Sequence, residues 1–344
     1  MALTLTKLNP FTPIVLGFTC LVGFVTPASA NPPQDVGLQV GIVQRFGDRT
    51  KDTLTLKANP GDRLTLRFDT DGKPQTLNAP EVKLETVMQQ LPQPVVEERV
   101  VFSTHRSFET AEDQAQAWKA QGIEVEIAQP ERWQVWAKRD VYNTPLLRRL
   151  LLKSLQEKGI QTAQIESKVV REVPRPTWVL NGFRYTRDVV DISSGSGVIQ
   201  VDREKDDNQN RLYAGSLRIQ PNAYGNYTLV NFVGLETYLR GVVPHEIGTS
   251  APQPVLEAQA VLARTYALRN VRRFVIDNYH LCATTQCQVY RGLDGAAPST
   301  DRAIAATRGL VLTYQNELVD AVYFSTSGGV TASFNDVWHG SVPI

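Results

Sequence analysis

Glu246 ends the run Val242-Val-Pro-His-Glu246 and is followed by Ile247, so its carboxyl group sits among apolar neighbours. Burial against such neighbours strips water from a carboxyl and raises its pKa. A carboxylic acid still protonated near neutrality can protonate a leaving oxygen and later accept a proton as a base. Glycoside hydrolases usually pair that acid with a second carboxylate. One acid/base suffices where the sugar itself supplies the attacking hydroxyl. His245 beside it points elsewhere if the segment is extended. Arg264 lies on the Ala-rich stretch Ala258 to Ala267, on one helical face with Glu257. It is either a cation lining a groove or the ion-pair partner of Glu257.

A second group is His280, Cys282 and Cys287. One imidazole and two thiols are zinc-ligand types but lack a fourth protein ligand. In an oxidising compartment two cysteines this close can instead close a small loop, and a Cys282–Cys287 disulfide is the preferred reading. Tyr290 is either a face on which a sugar stacks or a core aromatic. Ser325 and Ser327 can hydrogen-bond a sugar, and Gly328-Gly329 lets backbone approach a ligand. Neither serine shows the pattern of a Ser–His–acid triad.

The elements that must position these residues follow from periodicity. Leu38 to Val43, Thr53 to Lys57 and Arg63 to Phe68 read as short strands separated by Gly-Asp and Asn-Pro-Gly-Asp turns. Residues 98 to 168 read strand, helix (Thr110 to Gln121), two strands (Glu124 to Ala128 and Trp133 to Ala137), helix (Thr144 to Lys158), strand. That β-α-β-β-α-β order is ferredoxin-like. Pro174-Arg-Pro176 marks a linker. Tyr213 to Ile219 and Tyr227 to Phe232 read as a hairpin, a helix starts between Ser250 and Pro254, and Leu310 to Tyr314 pairs with Leu318 to Phe324. The fold class is α+β: a mixed, strand-rich domain with a few helices plus the ferredoxin-like module.

The first thirty residues hold one charged side chain, Lys7, then an apolar stretch from Ile14 to Val25 and the small-x-small site Ala28-Ser-Ala30. This is the form of a cleaved export signal. Its removal leaves 35 basic and 35 acidic side chains. A neutral chain argues against nucleic acid as a partner and suits a sugar. The expected division is residues 1–30 signal, 31–95 N-terminal strands that are free-standing or part of the last domain, 96–170 ferredoxin-like module and 177–344 C-terminal domain.

The Asn231 to Glu246 run, the Ala-Arg-Thr-Tyr266 element, Cys287-Gln-Val-Tyr290, the Ser-Gly-Gly loop and Val337-Trp-His-Gly340 stand in an order that resembles the stage II sporulation protein D and amidase-enhancer family. The resemblance implies an exported, peptidoglycan-active protein of the periplasm or cell envelope. It implies lytic transglycosylation with Glu246 as acid/base, leaving anhydromuramyl ends, and a groove shaped by Arg264, Tyr290, Ser325, Gly328 and Gly329. Some relatives bind zinc through a His and two Cys in the region of His280, Cys282 and Cys287. No other cofactor is implied. Peptidoglycan glycan strands, preferably peptide-free, are the implied substrate. Alternatives are a non-catalytic enhancer of a murein amidase and a wall-binding protein. The chain departs from the family at Glu257, where relatives carry Lys. Residues 98 to 168 resemble the sporulation-related repeat, which binds peptide-free glycan, although a structural spacer has the same element order.

Overall fold

The computed structural model describes residues 4–7, 35–48, 51–203, 210–324, 326, 328–333 and 336. It is an α+β protein built on three sheets. The first has seven strands in the order Leu281–Cys282, Gly37–Phe46, Tyr227–Gly234, Ser216–Pro221, Val190–Ser194, Leu64–Thr70 and Lys73–Ala79. All neighbours are antiparallel except the first pair. Strand Leu64–Thr70 alternates as its sequence requires, with Leu64, Leu66 and Phe68 inward and Arg67 and Asp69 outward. Tyr227–Gly234 lies mid-sheet and is buried on both faces over most of its length, which explains its near-continuous apolar run.

The second sheet is organised by two long strands, Glu81–His105 and Gln164–Leu180, paired antiparallel along most of their length. One end of this ribbon joins Thr53–Ala58 and, beyond it, Val198–Asp202 and Arg211–Ala214. The other end carries Trp133–Ala137 and Val125–Ala128. With helices α1 (Phe108–Ala120) and α2 (Pro145–Glu157), that end forms an all-antiparallel sheet in the order fourth-first-third-second, the ferredoxin-like arrangement. Ser107 and Thr144 cap the two helices by accepting the Thr110 and Leu147 N–H groups. Pairing along the ribbon breaks between Gln90 and Val95, where Leu91-Pro-Gln-Pro94 lacks two backbone donors.

The hairpin expected of Tyr213 to Ile219 with Tyr227 to Phe232 is present, Ser216–Pro221 pairing antiparallel with Tyr227–Gly234, but its first strand begins only at Ser216. Arg211–Ala214 belongs to the second sheet and Ser216–Pro221 to the first, and the chain crosses at Gly215. Gly215 has φ +88° and its missing Cβ would strike the Phe232 carbonyl, so both conformation and space require glycine there. The third sheet pairs Leu310–Tyr314 with Thr4–Lys7 on one side and with only Glu317–Leu318 on the other. The return strand is thus shorter than the expected Leu318 to Phe324. The apolar run Ile14 to Val25 and the cleavage site at Ala28 to Ala30 lie outside the described residues. No helix among those described is long and apolar enough to cross a membrane.

Four helices gather beside the first sheet: α3 (Leu235–Arg240), α4 (Val243–Ile247), α5 (Gln253–Arg269) and α6 (Pro298–Ala306). Gly241 separates α3 from α4. A Cβ there would meet the Gly292 carbonyl and the Tyr290 ring, so the close approach of the 290–292 segment fixes where α4 begins. α5 starts at Gln253 as expected, but Pro252 occupies its cap without a side-chain hydrogen bond, and Ser250 does not cap it.

Candidate active site

Glu246 lies on α4, a single helical turn and not the extended segment its Pro244 suggested. His245 consequently turns to the Asp294 carbonyl, 2.8 Å from Nε2. Glu246 is half-buried and lines a cleft of about 450 Å³. Its Oε1 accepts the Val289 N–H at 2.8 Å, which fixes the carboxyl's direction. Tyr323 lines the same cleft. Burial, then the Glu246 charge, pushes the Tyr323 pKa up, so the phenol stays neutral and able to donate towards the carboxyl.

The Cys287-Gln-Val-Tyr290 element builds this arrangement. Cys287 is joined to Cys282 in a disulfide. Gln288, buried, donates to the Tyr323 hydroxyl at 2.9 Å and to the Ala263 carbonyl at 3.3 Å, and accepts from the Tyr238 hydroxyl at 3.1 Å. Val289 supplies the N–H for Glu246. The Tyr290 hydroxyl donates to Asn231 Oδ1 at 2.8 Å, and its buried ring packs on Tyr213 and Tyr238. Tyr290 is therefore a core residue that braces the segment and offers no face to a sugar.

Arg264 also lies away from the cleft. Its side chain is fully buried and forms a bidentate pair with Glu236 of α3, at 2.8 and 2.7 Å, and donates to the Leu310 carbonyl at 3.1 Å. Glu257 is not its partner: it accepts from Gln253 one turn earlier and does not line the cleft. The Lys-to-Glu departure at this position therefore leaves the cleft walls unchanged. Gly328 and Gly329 are exposed with φ of +63° and +97°, a left-handed pair that glycine accommodates. They follow Val322, Tyr323 and Phe324, which do line the cleft. Ser325 and Ser327 lie outside the described residues, as do Trp338 and His339.

Zinc does not fit the residues proposed for it. The two sulfurs are bonded to each other, and His280 Nδ1 faces the Gln39 N–H at 3.2 Å. Among the described residues no group of three His, Cys, Asp or Glu is placed to hold a metal ion.

The cleft has a wall that no motif foretold. Arg106, Ser107, Phe108 and Glu109, at the start of α1, line it together with Trp133. The ferredoxin-like module thus faces Glu246 directly. It is clamped there by Arg272 on Glu112, by Arg273 on Glu109, and by Phe108, Trp133 and Phe274 packed ring to ring at 5.1 and 5.3 Å. Glu109 is the second carboxylate of the cleft, and Arg273 neutralises it. A sequence signal existed in hindsight: Glu109 and Glu112 stand one helical turn apart on α1, and two adjacent arginines, Arg272 and Arg273, follow the end of α5.

The arrangement holds one oriented carboxyl group without an ion-pair partner beside a neutral phenol in a cleft. The stage II sporulation protein family model matches residues 223–314, which include Glu246, Arg264 and the Cys287–Tyr290 element. Among curated relatives, the chain is 29% identical over 207 residues to the amidase enhancer of Bacillus subtilis, covering 53% of this chain and 27% of that protein. It is 34% identical over 138 residues to an uncharacterized protein of Brachyspira hyodysenteriae (38% of this chain, 36% of that one) and 30% identical over 138 residues to stage II sporulation protein D of Bacillus amyloliquefaciens (34% and 38%). The chain thus spans between a quarter and two fifths of the length of these relatives. No solved structure matches it.

Proposed function

We propose that this chain is an exported protein that cleaves peptidoglycan glycan strands by lytic transglycosylation, with Glu246 as the acid/base. The observation that carries the reading is a single untied carboxylate in the cleft, since Glu109 is spent on Arg273. Hydrolysis with two working carboxylates lacks its second member among the described cleft residues. In the one-carboxyl route Glu246 protonates the oxygen bridging muramic acid to the next sugar. The C1–O bond breaks, the hydroxymethyl oxygen of the same muramic acid bonds to C1, and Glu246 takes up that hydroxyl's proton. The carboxyl returns to its starting state and no water is consumed. The Val289 N–H and Tyr323 keep the carboxyl aimed through both proton transfers. We assign residues 31–95 and 177–344 to this catalytic unit, because strand Gly37–Phe46 pairs with Tyr227–Gly234, and residues 96–170 to the inserted module.

The test is incubation of the chain with peptide-free glycan strands, with anhydro-ended muramyl products read by mass spectrometry. Products are expected, and Glu246→Gln should lower their rate by about 10²–10⁴-fold, the usual contribution of a general acid/base. Similarity to an amidase enhancer favours a second reading, activation of a murein amidase. An absence of products with faster cleavage by an added amidase would replace the first reading with the second.

A further inference from the structure

Two acids and two arginines line the Glu246 cleft, but only one of each is joined in an ion pair. Glu109 and Arg273 pair with each other, Glu246 is held by a neutral N–H, and one cation is left, Arg106. Arg106 is exposed and has no ion-pair or hydrogen-bond partner among the described residues. It belongs to the inserted module, immediately before the Ser107 cap of α1, a thirteen-residue helix whose first turn lines the same cleft. The partly positive end of a helix adds to the attraction of a guanidinium for an anion. Nearby Phe324 lines the cleft with 63% of its surface exposed, an apolar face of the kind that sugar rings cover. The module is held in this place by the two arginine clamps and the aromatic stack, so Arg106 is carried on a fixed wall.

We propose that the inserted module supplies the specificity-determining cation of the cleft: Arg106 holds a carboxylate borne by the polysaccharide whose backbone passes Glu246. This rests on the proposed function and assigns a residue, Arg106, to its choice of peptide-free strands. Muramic acid stripped of its peptide carries such an acid on its lactyl ether, one per muramic residue. Where a peptide is attached, that carboxylate is converted to an amide and loses its charge. Arginine suits the task because its planar donors match a carboxylate two at a time, which an amide cannot reproduce.

The experiment measures binding by the full chain in a Glu246→Gln background, which prevents turnover, using fluorescence anisotropy of end-labelled peptide-free strands. The same strands with their lactyl carboxylates converted to methylamides are the second probe. Arg106→Ala should weaken binding of the acid strands about tenfold, on the scale of one charge-assisted contact. It should leave binding of the amidated strands unchanged, and Arg106→Lys should recover part of the loss. Equal weakening for both probes, or none for either, overturns the assignment of Arg106 while leaving glycan binding intact. Failure of the Glu246→Gln chain and the wild-type chain to bind or cleave either probe overturns the glycan reading itself, and this inference with it.

Discussion

Removing the Arg264 guanidinium would leave the Glu236 carboxylate, 13% exposed, and the Leu310 carbonyl without their donors. Breaking one side of a buried pair is costly because the other charge stays behind. Arg264→Ala is expected to lower stability by about 3–5 kcal/mol, measured by denaturant unfolding. Arg264→Ala with Glu236→Ala should recover much of that loss, an outcome that a groove-lining Arg264 would not give. At this scale the sequence was readable where chemistry is local. Glu246 could be picked out by its apolar neighbours and its motif. What faces Arg264 could not, because helical spacing says which residues share a face and not which element packs against it. Glu257 was the partner visible along the helix, whereas the real one, Glu236, comes from α3. The two readings of Tyr290, sugar platform and core aromatic, could not be separated because its pocket, formed by Tyr213, Tyr238 and Asn231, is assembled from distant parts of the chain.

At the scale of elements, the short turn Val275–Asp277 places a carboxylate where water does not reach. Asp277 is fully buried, accepts the Ala223 N–H at 2.9 Å, and leaves Oδ2 without a partner. Desolvation outweighs these and the nearby Arg45 charge, so its pKa is raised. A carboxyl that holds its proton more tightly when folded binds more protons in the native state, and its contribution to stability falls as pH rises through the folded pKa. Asp277→Asn should therefore gain on the wild type as pH goes from about 3 to neutrality, read as the difference in Tm between the two proteins at each pH. A constant difference would place the titrating group elsewhere. Strands with period-2 burial and both module helices were legible from their residues. The crossing at Gly215 was not, since one glycine in an apolar run reads equally as a bulge or a turn. Nor was the length of Glu81–His105, whose polar stretch gives no apolar alternation because much of it is exposed on both faces.

For the molecule as a whole, the joint between the module and the rest of the chain decides the shape of the cleft. Arg272 and Glu112 are each partly exposed, so their pair is worth about 1 kcal/mol at most. Glu112→Ala is expected to change global unfolding little. It should raise the rate of proteolysis near Leu91 to Pro94 several-fold, and added salt should do the same to the wild type, because both act on the module's attachment and not on its core. An unchanged cleavage rate would show that the Arg273–Glu109 pair and the ring stack hold the module without Glu112. The ferredoxin-like order is legible in the sequence but the docking is not, since it depends on a few residues from three separate segments, 108–112, 133 and 272–274.

Both covalent connections of the module run side by side in one ribbon, and that ribbon is unpaired at Leu91 to Pro94. The seat of the module is therefore fixed less by its ribbon than by the contacts at its far edge, Arg272 on Glu112, Arg273 on Glu109 and Trp133 on Phe274. The width of the cleft between Arg106 and Glu246 thus depends on latches that are themselves part of its lining, Arg273, Glu109, Phe108 and Trp133.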